Sequence, residues 1–178
     1  MRLGILSDTH GYWHPALDST LQGVDTILHA GDVGTPDILD RLEAIAPTHA
    51  VYGNVDGNPI RHRAPRVQRL RLAGVRIMMV HIGGHPDRWA KGIRSMLINE
   101  PPDMFICGHS HILRMERITN PVPLLYVNPG AAGRQGFHRV KTVIRIDMHD
   151  GRPTQAEVVH LDETNAVVAP APPQRPDP

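Results

Sequence analysis

Residues 1–32, MRLGILSDTHGYWHPALDSTLQGVDTILHAGD, contain two short apolar runs that each end close to an aspartate. The runs are Leu3 to Leu6 and Thr26 to Ala30. Between them, Pro15 to Leu21 carries apolar residues at helical spacing, and its proline stands near the first turn, where the missing N–H costs nothing. This order predicts a strand, a crossover helix and a second, parallel strand, which is the repeating unit of a layered α/β domain.

The same alternation continues along the chain. Helices are predicted over Pro36 to Ile45 and from about Asp87 to Ile98. Further strands are predicted over Thr48 to Tyr52, Arg66 to Leu72, Val75 to Ile82, Met104 to Cys107, Leu124 to Val127, Thr142 to Ile146 and Ala156 to Leu161, with the last three at a second sheet edge. We therefore expect one α/β domain over residues 1–164, followed by a disordered, Pro-rich tail over residues 165–178.

The composition narrows the functional classes. The 178 residues suffice for one domain, and Lys+Arg 19 nearly match Asp+Glu 18, so no global basic field favours nucleic-acid or membrane binding. Cys107 is the single cysteine, which excludes an internal disulfide and agrees with a reducing compartment. The sequence shows neither a signal peptide nor an apolar stretch of about 18 residues, and we expect a cytoplasmic protein.

Side chains that can bind metal ions follow five of the predicted strands. In an open α/β sheet, ligands gather at the carboxyl ends of the strands, where loops converge on a rigid scaffold. The candidate metal ligands are Asp8, His10, Asp32, Asn54, His81, His109 and His111. Seven ligands are enough for two metal ions, and a shared carboxylate would offset the repulsion between the ions. Asp32, in the middle of the set, is the natural bridge.

The chemistry of these donors indicates which metals are expected. Carboxylate and amide oxygens mixed with imidazoles suit Mn²⁺, Fe or Zn²⁺ better than Ca²⁺, and the absence of thiolates argues against a structural zinc site. Cys107 lies beside the cluster, but its position in a strand indicates burial. Each short motif is common by itself and has a structural interpretation as a turn; only their order and their repeated placement at strand ends favour a metal site.

Five motifs together resemble those of the calcineurin-like metallophosphoesterase superfamily, in the same order, over about residues 1–148. They are Asp8-Thr9-His10, Gly31-Asp32, Gly53-Asn54-Val55-Asp56, His81 and Gly108-His109-Ser110-His111. Within the superfamily the chain is similar to the small single-domain phosphodiesterases of the YfcE type, which share a loop like Asn128-Pro129-Gly130.

The resemblance implies a fold, a pair of cofactors and an activity. The fold is a four-layer α-β-β-α sandwich of two mixed sheets flanked by helices. Two divalent metal ions are implied, and we expect Mn²⁺, with Fe, Zn²⁺ or Ni²⁺ as alternatives. By the same resemblance, the first metal is held by Asp8, His10, Asp32 and His111, and the second by Asp32, Asn54, His81 and His109. A hydroxide between the metals would attack the phosphorus of a small-molecule ester.

Further roles are expected for individual residues. Asp32, Asn54 and His81 would act in catalysis through the metal-activated water, and Asn54, His85 and Arg134 would contact the substrate. Asp56 is expected either to hydrogen-bond His10 or another ligand, or simply to stabilise a turn. His138 is a weaker substrate candidate, for which an exposed position in a mobile loop is the preferred interpretation. The remaining histidines, among them His29, are interpreted as ordinary surface or core residues.

The sequence departs from the family pattern at Val55, where many members have a histidine that assists the leaving group. Valine cannot donate a proton, so a poor leaving group would depart unaided. We therefore expect phosphodiesters or activated esters as substrates, in preference to alkyl monoesters. Ala131 stands where the family usually has serine, and His81-Ile82-Gly83-Gly84-His85 replaces the usual His-Gly-His.

Two alternative functions stay open. One is a non-catalytic, protein-binding scaffold, like the retromer subunit that resembles these enzymes but lacks a full ligand set. The other is a nuclease, although the sequence shows no basic stripe interleaved with aromatic residues. Arg61, His62, Arg63 and Arg66 form only a short local cluster. Homo-oligomerisation is also left open.

Overall fold

The computed structural model describes residues 1–137 and 140–163, together with the backbone of residues 166–169. The described helices are α1 (Leu17–Leu21), α2 (Pro36–Ile45), α3 (Asn58–Arg61) and α4 (Ile93–Asn99). The described strands are β1 (Arg2–Leu6), β2 (Thr26–His29), β3 (Thr48–Ala50), β4 (Val67–Leu72), β5 (Val75–Val80), β6 (Gly84–His85), β7 (Arg88–Trp89), β8 (Met104–Ile106), β9 (Leu113–Ile118), β10 (Leu124–Pro129), β11 (Thr142–His149), β12 (Arg152–His160) and β13 (Ala166–Ala169).

Two large mixed sheets contain most of the strands. The first has six strands in the order β13-β12-β11-β1-β2-β3, and the second has five in the order β4-β5-β8-β10-β9. In the first sheet β1, β2 and β3 are parallel neighbours, and in the second β5, β8 and β10 are. Each sheet therefore contains three adjacent parallel strands, and the predicted ligands follow five of these six strands.

Alternation of side chains along the strands produces four layers. Leu28 of β2 belongs to the buried cluster between the sheets, together with Ile77 of β5. Its neighbour Ile27 points to the opposite face and packs in a second cluster with Leu42 of α2. Leu97 of α4 packs in a third cluster on the outer face of the second sheet. The predicted α-β-β-α sandwich is thus confirmed.

The predicted helix from Asp87 to Ile98 is wrong in its first half. This segment contains β7, which pairs with the preceding β6 as a small antiparallel hairpin, and α4 begins only at Ile93. Gly92 has φ +86°, a left-handed conformation that ends any helix running into it. The N–H of Ala90 donates to the carbonyl of Gly83 at 3.0 Å, which closes the base of the hairpin.

The carboxyl-terminal strands differ from the expected arrangement. The prediction placed β10, β11 and β12 together at a second sheet edge, but only β10 lies in the second sheet, whereas β11 pairs with β1 in the first. Strand β9 and the short α3 were not predicted. Apolar periodicity identifies a strand but does not specify its neighbours, and that explains the wrong placement.

The structure describes part of the predicted Pro-rich tail. The backbone of β13 pairs with β12, so regular structure extends beyond the expected boundary at residue 164. Residues 164, 165 and 170–178 lie outside the described residues, and their disorder stays a prediction. Among the helices that the structure describes, none is long and apolar enough to cross a bilayer.

Candidate metal centre

The seven predicted ligands meet where the parallel strands of both sheets end. Asp8 and His10 follow β1, Asp32 follows β2, Asn54 follows β3, His81 follows β5, and His109 and His111 follow β8. Six of them form two compact groups, in each of which one donor atom from every residue lies within 4.8 Å of the others. The first group is Asp8, His10 and His111, and the second is Asp32, His81 and His109.

The two groups adjoin each other. Asp32 Oδ2 lies 3.2 Å from His81 Nε2 in its own group and 4.0 Å from His10 Nε2 in the other. Asp8 Oδ1 lies 4.0 Å from both His10 Nε2 and His81 Nε2. Asn54 joins the second group through its Oδ1, which is 3.1 Å from His81 Nε2. The donors therefore form one continuous site with Asp32 at its middle.

Asp8 presents one carboxylate oxygen to this site. Its Oδ2 accepts hydrogen bonds from the hydroxyl of Ser7 at 2.5 Å and from the N–H of His109 at 3.1 Å. The other oxygen, Oδ1, faces His111 Nε2 at 3.2 Å, and this contact raises the pKa of His111. The two hydrogen bonds to Oδ2 thus fix the direction in which Oδ1 points.

His10 Nε2 is a buried polar atom with no hydrogen-bond partner among the described residues. A buried polar atom in this condition is costly and calls for an explanation. Its separation of 4.0 Å from two carboxylate oxygens is too long for a hydrogen bond. The same separation is within the span of two ligands of one ion, because each bond to a metal is about 2.0 to 2.2 Å long.

His81 shows most clearly that a cation fits the site. Its Nδ1 lies 2.8 Å from the carbonyl oxygen of Ala30, which can only accept, so Nδ1 carries the proton. Nε2 then faces the oxygens of Asp32 and Asn54. A second proton or a metal ion between these three atoms would satisfy all of them. Burial lowers the pKa of His81, but the hydrogen bond to Asp32 and the charges of the nearby carboxylates outweigh it and raise the pKa overall.

The backbone is strained at most of the predicted ligands. Among the described residues, seven that are not glycine have positive φ, and five of the seven are Asp8, His10, Asp32, His109 and His111. Such conformations cost roughly 1 to 3 kcal/mol each and are retained mainly at functional sites. The strain therefore points to these loops as a site under functional constraint.

Asp56 connects the loops that carry Asp32 and Asn54. Its carboxylate accepts hydrogen bonds from the N–H groups of Val33 at 3.1 Å, Gly34 at 2.8 Å and Gly53 at 2.7 Å. Of the two roles expected for Asp56, the structure thus shows loop stabilisation, and a hydrogen bond to His10 is not among its contacts. The side chain is 2% exposed, so this link is protected from water.

Two further residues, His29 and Asn128, position the loops, a role that the sequence analysis did not assign to either of them. His29 is buried, and its Nε2 lies 2.9 Å from the Oγ1 of Thr9, the residue between Asp8 and His10 in the sequence. Burial lowers the pKa of His29 to about 4 and keeps the ring neutral. Asn128 donates from Nδ2 to the carbonyl of Gly108 at 2.9 Å and so holds the loop of His109. The position of His29 three residues before Asp32 is the one signal that could have identified it.

Two of the predicted substrate residues, Arg134 and His85, lie outside the two groups. Arg134 donates to the hydroxyl of Tyr12 at 2.8 Å, and its guanidinium lies 3.9 Å from the centre of that ring. His85 lies in the β6–β7 hairpin, where its Nδ1 accepts from the N–H of Asp87. His138 lies outside the described residues. Cys107 is fully buried, as expected, and burial raises its pKa to about 11.

The chain is similar to known proteins of one superfamily. Residues 1–151 match the model of the calcineurin-like phosphoesterase superfamily domain. The chain belongs to this superfamily. A "Probable metallophosphoesterase" of Methanothermobacter thermautotrophicus is 32% identical over 139 residues, covering 74% of this chain and 77% of that protein. A second, from Methanocaldococcus jannaschii, is 30% identical over 171 residues, covering 92% and 83% of the two chains.

Solved structures share the fold of this superfamily member. Vps29 from Entamoeba histolytica, complexed with zinc, superimposes with a TM-score of 0.76 at 18% identity, over 95% of this chain and 97% of that one. A structure described as a novel archaeal phosphodiesterase gives a TM-score of 0.66 at 21% identity, over 95% and 100%. At these identities the likeness concerns the fold alone.

Proposed function

We propose that the seven side chains hold two divalent metal ions and that the protein hydrolyses phosphate esters. Its preferred substrates would be phosphodiesters and activated esters, in preference to alkyl monoesters. The position of His81 Nε2 between the oxygens of Asp32 and Asn54 carries this proposal, because its other nitrogen already donates to Ala30. The unpartnered His10 Nε2 supports a second ion beside the first.

The donor set fits two ions of the kind expected. Asp8, His10 and His111 would hold one ion, and Asn54, His81 and His109 the other. Asp32 would bridge them, since its Oδ2 faces histidines of both groups. Mn²⁺ is the ion we propose, with Fe, Zn²⁺ and Ni²⁺ as alternatives, because oxygen and imidazole donors are mixed without thiolates.

When bound, such ions lower the pKa of water to near neutrality and offset charge on phosphoryl oxygens. The chain positions the groups around them. Asp32 is kept anionic: burial alone would raise its pKa, but the hydrogen bond from His81 and the N–H of Val55 lower it. Asn54 is exposed and can contact a phosphoryl oxygen as well as an ion.

The substrate preference rests on Val55 and Arg134. The side chain of Val55 is 57% exposed at the rim of the site and offers no proton to a leaving group. Diesters and activated esters, whose leaving groups depart more readily, are therefore the proposed substrates. Arg134, held by Tyr12, is the proposed contact for a phosphate oxygen, with His85 as a further candidate.

The two alternative functions have less support. The likeness to Vps29 concerns the fold, whereas six of the donors here form the two groups and Asn54 lies beside the second, which supports an enzyme. The basic cluster expected of a nuclease is reduced by pairing, because Arg63 binds Asp40 at 2.6 Å and Glu43 at 3.0 Å. A cytoplasmic location is part of the proposal, and the buried Cys107 agrees with it.

Hydrolysis of p-nitrophenyl phosphate and bis(p-nitrophenyl) phosphate with Mn²⁺ tests the proposal. The wild-type protein should hydrolyse the diester, a chelator should abolish the activity, and Asp32→Asn should reduce it by at least about a hundredfold. Asp37→Asn, at an exposed carboxylate in the first turn of α2, is the matched control. Undiminished activity in Asp32→Asn would overturn the assignment of the site.

A further inference from the structure

A cleft of about 850 Å³ opens directly beside the second ligand group. His81 is a member of that group and Asn54 lies beside it, and both residues also line the cleft. The cleft continues away from them between the segment after β3 and the start of α4. Its volume is that of a pocket for a small molecule.

The charged residues of this wall are all basic. Arg61, Arg66 and Lys91 line the cleft, and no carboxylate does. The whole chain has a formal charge of only +1, so three cations without a counter-charge in one cleft form a local concentration of positive potential. Such a cleft attracts an anion.

The three cations differ in the contacts that they already make within the protein. Arg61 donates from Nε to the carbonyl of Asp56 at 2.7 Å, and its guanidinium lies 4.9 Å from the centre of the Tyr52 ring, which fixes its position. Arg66 and Lys91 are exposed, and among the described residues neither makes an ion pair or a side-chain hydrogen bond. Both can therefore bind a ligand without breaking an existing contact.

Away from Asn54, His81 and the three cations, the wall is largely apolar. Tyr52, Val67, Ile82, Ile93 and Met96 contribute to it, and Ile82 is 43% exposed. An aromatic ring and flexible apolar side chains are suited to a flat, weakly polar group such as a nucleobase. A ligand of this cleft should thus combine an anionic group with an apolar part.

We propose that this cleft binds one substituent of the substrate phosphodiester, and that this substituent carries a second phosphate, held by Arg66 and Lys91. The inference rests on the proposed function, since it places the scissile phosphate at the metal centre. It adds a substrate class: small phosphodiesters with a second anionic group some distance from the bond that breaks.

Two chromogenic esters with the same scissile bond provide the test. They are the p-nitrophenyl ester of thymidine 5′-phosphate and the same ester carrying a 3′-phosphate. With Mn²⁺, the wild-type protein should show a KM about tenfold lower for the 3′-phosphorylated ester, as expected for charge-assisted contacts to one phosphate. In Arg66→Gln and Lys91→Gln this preference should fall towards unity. Arg152→Gln, an exposed arginine on β12 away from the cleft, should keep it.

A binding measurement without turnover accompanies the kinetics. Adenosine 3′,5′-bisphosphate should bind the wild-type protein more tightly than adenosine 5′-phosphate in calorimetry, and Arg66→Gln should remove the difference. Equal KM values for the two esters in the wild-type protein would overturn this inference alone. Hydrolysis of neither ester would count against the proposed function. Stronger competition by single-stranded DNA than by the bisphosphate would show that a nucleic-acid strand occupies the cleft, and the small-molecule class would be wrong.

Discussion

The α-carbon of Gly53 lies so close to the carboxylate of Asp32 that a Cβ at position 53 would overlap Asp32 Oδ1. The loop thus depends on the absence of a side chain at this position. Gly53→Ala must move either Asp32 or the loop of Asn54, and we expect diester hydrolysis to fall about a hundredfold, as for a misplacement of about 1 Å. The kcat/KM for bis(p-nitrophenyl) phosphate with Mn²⁺ measures the effect.

Gly57 provides the control for this substitution. A Cβ there would lie 3.7 Å from Pro59 Cδ, which is ordinary van der Waals contact. Gly57→Ala should therefore keep kcat/KM within about twofold of the wild-type value, since surface substitutions have small effects. Full activity in Gly53→Ala would show that Asp32 does not need its present position.

Asp56 is expected to contribute to stability through its three backbone contacts. Asp56→Ala leaves the N–H groups of Val33, Gly34 and Gly53 without their acceptor, which should lower the free energy of unfolding by about 3 kcal/mol. Asp56→Asn keeps one acceptor oxygen and should lose about half as much. Urea unfolding with a chelator present measures both variants.

An exposed aspartate serves for comparison with Asp56. Asp37→Ala removes a carboxylate from the first turn of α2 and should change the free energy of unfolding by only about 0.5 kcal/mol. If Asp56→Ala were no more destabilising than Asp37→Ala, the three hydrogen bonds would not hold the loops together.

Val55 offers a test by gain of function. A histidine at this exposed position can supply the proton that valine cannot, so Val55→His should raise kcat/KM for an alkyl phosphomonoester by about tenfold or more. The effect on bis(p-nitrophenyl) phosphate should be smaller, because its leaving group needs no proton. Activity towards both esters should be measured between pH 6 and 8. An unchanged ratio of the two activities would refute our explanation of the substrate preference.

The pKa of His29 predicts a pH dependence of stability. Its pKa is lowered by burial to about 4 in the folded protein, against 6.5 for an ordinary histidine. The unfolded chain therefore binds the extra proton first as the pH falls, and the stability present above pH 6.5 is lost between 6.5 and 4, by about 3 kcal/mol.

His29→Gln removes this titration while keeping a donor near Thr9. The stability difference between the wild-type protein and the variant should narrow as the pH falls from 7 to 4, in urea unfolding with a chelator present. The comparison cancels the carboxylates and histidines that titrate in both proteins. Parallel stability curves over this range would mean that His29 is not held neutral by burial.

Much of the fold could be predicted because strand ends in this chain are marked by chemistry as well as by apolar runs. Each of β1, β2, β3, β5 and β8 ends just before a residue that the ligand pattern had identified. Helix α2 was predicted with its exact bounds, since Pro36 marks its start and its apolar spacing is regular. Because the ligand residues follow strand ends, the convergence of the side chains around His81 could also be inferred.

Other features are set by tertiary contacts that leave little trace in the sequence. The β6–β7 hairpin extends into a segment with helical apolar spacing, and the helix begins only after Gly92, whose φ is positive. Asp56 and His29 also act through hydrogen bonds to distant residues, Asp56 to Val33 and Gly34 and His29 to Thr9, which lie 20 or more positions away. The cations of the cleft come from separate segments, and only the folded chain brings Arg66 and Lys91 to one wall.

Diffraction from crystals soaked in Mn²⁺, recorded near the manganese absorption edge, tests the central claim most directly. We predict two anomalous peaks per chain, one within bonding distance of Asp8, His10 and His111 and the other of Asn54, His81 and His109, with Asp32 touching both. Absence of any peak at these residues in fully soaked crystals, while the side chains keep their positions, would contradict it.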